Sequence, residues 1–564
     1  MVADRDASYV ADADAWPEGL PRTLPFPRGR RPGHECLRAQ ATERPNAPAV
    51  TFYGRTLTWG ELDAHVDGFA AALEGRGHGL GDVCALYLQN SPQFLVAYHG
   101  AHRAGLVATP VNPQSKTPAL RRQLADSGAE VIVAHTDLLT TVREATAASG
   151  PDDVIAAEYR AFADPSSSSI PVHPVVTDEP SAPGDLETVA DLSATGGTPS
   201  EDGPTLGDRA LLQYTGGTTG LPKGCVHTHW NVLFKATTTA AVRRYDESDV
   251  LLGAMPTFHV AGKQRYCDAP PVAGCHVVLL ARYAPEAVLA AVDTYGVTST
   301  WLAVPAVEEL LSHPELDAYD LTSLSANRGF TNCSSFGTML TRDLSDDWEA
   351  ATGSILQESG YGLTETHTTD THTFGTDRVE PGFVGLPCYG VDVEIRDVET
   401  GEALPPGERG EIVVSTPATM VEYHGRPDET AAVLDPDGAL HTGDVGLVTE
   451  EGYLYFLGRR KDAIKVSGHT VAPREVELVV EACPGVADAV VVGAPHERRG
   501  AVLEAHVVPA DGTVTEAEIL DYVAPLLAEF KRPRRVVFRE SFPRTDVGKV
   551  DRAGYYETLP DGYE

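Results

Sequence analysis

Lysine is what this sequence uses least. Of 44 basic residues in a chain of 564, only eight are lysines, at 116, 223, 235, 263, 461, 465, 531 and 549, although lysine is ordinarily among the commonest residues. Acidic residues number 81, and the formal net charge is −37. So strong a negative field argues against nucleic acid and anionic membranes as partners. An acidic, lysine-poor surface resists salting out and fits a halophilic, salt-rich cytoplasm, where screening tames self-repulsion. Cysteine is sparse and unpaired: positions 36, 84, 225, 267, 275, 333, 388 and 483 contain no C-x-x-C, so neither a structural zinc nor a disulfide framework is indicated, and they read as small core residues. No stretch approaches the roughly 18 apolar residues of a membrane span. The opening MVADRDASYVADADAW is acidic where a secretory signal is basic and then apolar. The expectation is a cytoplasmic protein with no integral membrane segment.

What the sequence does hold is a loop rich in glycine and threonine. LLQYTGGTTGLPKG, residues 211–224, runs from an apolar segment into Thr215, Gly216, Gly217, Thr218, Thr219, Gly220, Pro222 and Lys223. Glycines let successive N–H groups turn toward an anion, hydroxyls add donors and the lysine adds a point charge, so the composition suits a phosphate. A Walker A loop needs Ser or Thr after its Gly-Lys pair. Here Gly224 follows Lys223, which argues against a P-loop NTPase.

At this length the chain needs two or three cores. A capping box at Thr58 and Glu61 opens a helix after a hairpin within 49–62. Apolar strands at 82–92, 106–114, 249–263, 274–282 and 297–305 alternate with helical patterns, which predicts a parallel-rich sheet covered on both faces. Residues 227–245 read as a helix. Residues 165–208, rich in Pro, Ser, Gly and acids, interrupt the alternation and are expected to form a flexible acidic insertion. From 475 to 540 the pattern is helix, two strands, helix, strand, a compact α+β unit. The fold class expected is α/β, with a large multi-subdomain N-terminal domain over 1–460 and a small α+β C-terminal domain over 461–564.

The 211–224 loop resembles the signature of the adenylate-forming superfamily, which includes acyl-CoA synthetases, adenylation domains of peptide synthetases and luciferases. Further stretches match in order. PTFHVAG (256–262) is similar to the fourth motif of that family and implies His259 between an acyl pocket and the thiol entry. ESGYGLTET (358–366) resembles the fifth, implying Tyr361 and Gly362 against the adenine, Thr364 toward the α-phosphate and Glu365 as the Mg²⁺ ligand. HTGD (441–444) implies Asp444 as acceptor of ribose hydroxyls. GRRKDAIKVSGHTVAPREVE (458–477) implies Arg459 as a second ribose contact, Lys461 as hinge of a mobile lid, Lys465 within the same motif and Gly468 beside the pantetheine arm. FPRTDVGKVDR (542–552) implies Lys549 as the lysine bridging acid and α-phosphate. The adenine loop departs furthest: SFGTML (335–340) places Gly337 and Thr338 at matched positions but carries Phe336 and Met339 where relatives have glycine and proline. His367 and His372, just beyond the fifth motif, fit no zinc spacing and are expected in a solvated loop.

The resemblance implies ATP-dependent activation of a carboxylic acid, medium- or long-chain fatty acid by preference, to acyl-AMP and then to acyl-CoA. ATP, Mg²⁺ and coenzyme A would be required. An aryl or short branched acid, or another acceptor for the acyl group, are the alternatives. A peptide-synthetase adenylation domain would carry an Asp near His259, and Phe258-His259-Val260-Ala261 has none. Lysine scarcity adds one expectation: Lys223, Lys461, Lys465 and Lys549 should resist exchange for arginine, whereas Lys116 and Lys235, outside the motifs, should tolerate it.

Overall fold

The computed structural model describes residues 15–563 except 148, 216–221, 326–328, 336–339, 463, 467–468, 472, 497–499, 511, 528, 546–548 and 561–562. At 465, 469, 470, 500, 530 and 553 the backbone alone is described. Two seven-stranded sheets and a six-stranded sheet make the large domain, and a five-stranded sheet makes the small one.

In the first sheet Val83–Tyr87 lies between Val107–Pro110 and Val131–His135, parallel to both. Val131–His135 is buried along its whole length, which is why VIVAH reads as an unbroken apolar run rather than an alternation. Arg209–Tyr214 extends this sheet and turns back antiparallel into Gly224–Thr228. The Gly/Thr loop is therefore the connection of a hairpin. The helix expected over 227–245 starts only at His229 and ends at Val242, because Thr228 and Asn231 form a capping box there. The second sheet runs Ile355–Glu358, Phe330–Ser334, Ser299–Ala303, Val250–Gly253, His276–Leu279, Pro48–Phe52, Arg55–Thr58 and is parallel except for its last pair. Helix Pro92–Arg103 has every residue buried, as a helix held between two layers must.

The six-stranded sheet is antiparallel. Its register sets Asp444 of Leu440–Val448 directly across from Arg459 of Leu454–Arg459, so two residues fifteen apart in sequence become cross-strand neighbours. The N-terminal segment wraps this unit: Trp16, Leu20 and Leu24 are buried, with Trp16 edge-on to Phe374 at 5.0 Å and to Tyr389 at 5.1 Å.

The 165–208 segment packs against the body instead of standing free, correcting the flexible insertion expected there. Ile170, Val176, Val189 and Leu192 are buried, and Val189–Ser193 is a helix capped by Thr188 and Asp191. Glu179 is fully buried, 2.9 Å from His135 Nε2, and accepts from the backbone N–H groups of Tyr159 and Arg160 at 2.7 Å each. Four apolar anchors and one satisfied carboxylate suffice to order a stretch whose composition alone reads as disordered.

The small domain has the helix, strand, strand, helix, strand order expected for it. Val486–His496 pairs antiparallel with Gly500–Pro509, and Arg535–Phe538 joins the latter in parallel. Its core, with Val476, Val480, Val491, Leu503, Ile519 and Val523, is its own. Arg409 of the large domain pairs with Glu475.

Candidate active site

A cavity of about 710 Å³ opens where these units meet, lined by Thr215, His259, Tyr361, Gly362, Thr364 and Glu365 from the sheet ends, Asp444 and Arg459 from the antiparallel pair, and Lys549 from the small domain. Six motif stretches spread between 211 and 552 thus share one space. Gly216, Gly217, Thr218, Thr219 and Gly220 fall outside the described residues, as do Gly337, Thr338 and Gly468. The neck of the hairpin loop is closed by Thr215 N–H donating to the Lys223 carbonyl at 3.0 Å and Lys223 N–H to Thr215 Oγ1 at 3.2 Å. Lys223 Nζ sits 3.9 Å over the Tyr423 ring and 3.3 Å from Glu429.

The stretch 358–372 is held under backbone strain. His367, Thr368 and Thr369 are three consecutive non-glycine residues at positive φ, 58°, 59° and 50°, each costing about 1–2 kcal/mol. Two glycines make room for the fold-back. A Cβ on Gly360 would meet Thr371 O at 2.2 Å, and one on Gly362 would meet Thr369 N at 2.6 Å. His227 Nε2–H donates to the Thr364 carbonyl at 2.9 Å. Glu365 is pinned at both ends: Met420 N–H donates to its carbonyl at 2.7 Å and Tyr423 O–H to its Oε1 at 2.7 Å.

Beneath this loop lies a buried polar network. Lys235 Nζ donates to Asp370 Oδ1 at 2.6 Å and to the Thr369 carbonyl at 3.0 Å, and Thr366 Oγ1 donates to the other oxygen of Asp370. Lys263 Nζ donates to Asp268 Oδ2 at 2.6 Å and Tyr98 O–H to Asp268 Oδ1 at 2.8 Å, with His367 Nε2 at 3.6 Å from the same carboxylate. Burial opposes the charge of Asp268, but Lys263 and His367 outweigh it and hold the carboxyl below the usual range. His367 and His372 are both fully buried, not in a solvated loop; burial pushes His367 down to about 4 and His372 well below its ordinary value. Lys235, expected to tolerate arginine, is fully buried and paired. No motif marks Lys235 or Lys263, and the partners that hold them lie over a hundred residues away or on a short helix that the pattern does not single out.

Asp444 is 2% exposed. Tyr361 O–H donates to its Oδ2 at 2.7 Å, and Arg459 Nε stands 3.2 Å from its Oδ1. Burial raises the Asp444 carboxyl against the pull of Arg459. A carboxylate has four acceptor sites, so both contacts leave room for further donors. Lys549 lines the cavity and keeps an exposed surface there; desolvation by the protein around it, then Arg459, pushes its ammonium below the ordinary lysine value, with Asp444 opposing. His259, at the start of Val260–Lys263, is pushed down to about 4 by burial and then by Lys549, and is neutral at pH 7. Lys461 lies in the single turn Arg460–Asp462 between the two domains. Lys465 stands on strand Ile464–Val466.

A profile described as the AMP-binding enzyme matches residues 37–424, and one described as the AMP-binding enzyme C-terminal domain matches 475–549. The chain belongs to the AMP-binding enzyme family. It is 33% identical over 550 residues to a long-chain-fatty-acid–CoA ligase of Bacillus subtilis, covering 95% of this chain and 96% of the relative. It is also 33% identical over 516 residues to a feruloyl-CoA synthase of Amycolatopsis, covering 91% and 96%. Among solved structures, ATP-bound MatB from Rhodopseudomonas palustris superposes with a TM-score of 0.79 at 28% identity, over 94% of this chain and 99% of that one. The α/β body with a small C-terminal domain, expected from the pattern, is the architecture of this family.

Proposed function

We propose that the protein, an AMP-forming acid–thiol ligase, activates a carboxylic acid with ATP to acyl-AMP and pyrophosphate and then transfers the acyl group to coenzyme A. The observation that carries this is Lys549 standing in one cavity with Thr364, Glu365, Asp444 and Arg459. In the first step an oxygen of the acid attacks the α-phosphorus in line and the bond to pyrophosphate breaks. No protein nucleophile takes part; positioning and charge neutralisation do the work. Thr215 to Lys223 hold the triphosphate. Asp444 and Arg459 hold the ribose, Tyr361 and Gly362 with the 335–340 loop hold the adenine, and Thr364 donates to the α-phosphate. Lys549, an ammonium already crowded by Arg459, gains most from an anion and bridges acid and α-phosphate. Glu365 fits Mg²⁺, since Tyr423 occupies only one of its oxygens; the ion would arrive with ATP and spread charge over the phosphates.

With Lys549 in the cavity, the arrangement is the one for adenylation. Thioester formation needs the thiol to enter past His259 where Lys549 now stands, which the lid achieves by turning about Lys461, bringing Lys465 and the Gly468 backbone to the pantetheine. The acid itself lies on Phe258, Val260, Ala261, Trp301 and Leu340 of the same cavity, and the fatty-acid ligase among the relatives favours an aliphatic chain of medium or long length. Acid-dependent exchange of labelled pyrophosphate into ATP tests the reading. No exchange with Mg²⁺ and any carboxylic acid overturns it.

A further inference from the structure

One wall of the cavity carries two arginines that the adenylation chemistry does not use. Arg243, at the end of helix His229–Val242, and Arg265, in the Gln264–Asp268 turn of π-helix, both line the cavity while being only 2% and 4% exposed. Neither makes an ion pair among the described residues. Their one shared acceptor is the Ser359 hydroxyl, which takes a bond from Arg243 Nη2 at 3.1 Å and another from Arg265 Nη2. Arg243 Nε and Nη1 and Arg265 Nη1 are buried with no hydrogen-bond partner. The Arg265 guanidinium stacks 4.4 Å over Trp301, whose Nε1–H is spent on Ser334 Oγ at 2.8 Å.

Two like charges buried side by side with three empty donors are costly unless something neutralises them. Burial and then Arg243 push the Arg265 guanidinium down to about 9. Glu358 acts on Arg265 electrostatically but makes no ion pair with either arginine among the described residues; its oxygens accept the backbone N–H groups of Ser335 at 2.9 Å and Ser359 at 3.0 Å. His372, also close by, is held neutral by burial and the two arginines. A purely hydrocarbon tail against this wall would leave every one of those donors unmet. A carboxylate accepts from an arginine fork at two oxygens and supplies the missing charge.

We propose that Arg265 and Arg243 form a subsite for a second carboxylate on the acid being activated, so that the substrate is an aliphatic dicarboxylic acid docked at one end by the arginines and at the other by Lys549. This rests on the ligase reading above. It refines the fatty-acid expectation by assigning a charge to the far end of the chain.

Matched pairs of acids test it: hexanoate against adipate, octanoate against suberate, decanoate against sebacate, each assayed for AMP release with ATP, Mg²⁺ and coenzyme A. The expected result is a kcat/KM at least tenfold higher for the diacid at one chain length or more, with Arg265→Met lowering that diacid-to-monoacid ratio at least tenfold and Arg265→Lys lowering it less. Higher kcat/KM for the monoacid at every length overturns the subsite, as does a ratio unchanged by Arg265→Met. Should Arg265→Met not fold, the wild-type ratios decide. Turnover of monoacids alone rejects the subsite and leaves the ligase reading standing; no AMP from any acid rejects both.

Discussion

Lys549→Ala separates the two half-reactions. The side chain enters the cavity from the small domain and is flanked by Arg459 and Asp444, so truncation removes one preorganised cation from the point where charge builds on the α-phosphate. Loss of one such group costs about 10²–10³ in rate, or ~2.7–4 kcal/mol. The assay for this step is acid-dependent exchange of pyrophosphate into ATP. The second assay supplies synthetic acyl-AMP and coenzyme A and follows thioester formation, for which Lys549 must leave the cavity; there the variant should lose less than about threefold, ~0.65 kcal/mol. The pH profile adds a sign. Lys549 acts as a cation, and desolvation and Arg459 hold its pKa below the ordinary 10.5, so adenylation should fall as pH rises through a value below 10.5, and Lys549→Ala should lack that alkaline limb. Equal losses in the two half-reactions would refute the two-pose mechanism.

Lys461→Pro, in the turn between the domains, should do the reverse, sparing pyrophosphate exchange and cutting thioester formation from acyl-AMP at least a hundredfold; an unchanged thioester rate removes Lys461 as the hinge. Lys235→Arg forces a wider, planar group into a fully buried site 2.6 Å from Asp370 and should destabilise by about 1–3 kcal/mol, while Lys116→Arg stays within about 0.5 kcal/mol; matching urea midpoints for the two would count against the packing argument. His229 is pushed down to about 3 by burial and then by His34, and neither ring nitrogen has a hydrogen-bond partner. Its folded pKa lies below its unfolded 6.5, so its share of stability is complete above pH 6.5 and is lost as pH falls toward 3. His229→Phe should therefore reduce the slope of stability against pH between 6 and 4.5 by up to ~1.4 kcal/mol per pH unit, and an unaltered slope would show that His229 does not titrate on unfolding.

Much of the architecture was legible because it rests on local pattern. Unbroken apolar runs such as VIVAH mark strands covered on both faces, the Thr58/Glu61 box starts a helix where it is written, and the order of elements in the small domain follows from alternating periods. The glycine- and threonine-rich loop stood out by composition. Errors fell where burial depends on remote partners. His367 and His372 read as solvated because threonines and an aspartate flank them in sequence, yet the loop folds under itself through Gly360 and Gly362. Residues 165–208 read as free because their few apolar anchors are diluted among polar residues. Lys235 looked ordinary because Asp370, which holds it, is 135 residues away.

By itself, then, the chain's order of residues determined which segments become strand or helix and where glycine, threonine and lysine gather in one loop, since both follow from neighbours a few positions apart. The tertiary structure alone decided that Asp444 faces Arg459 across an antiparallel register, that Lys549 enters a cavity lined by both domains, and that Arg243 and Arg265 meet there with donors to spare. Burial and charge pairing are sums over neighbours in space, and those neighbours are assembled only when the chain has folded.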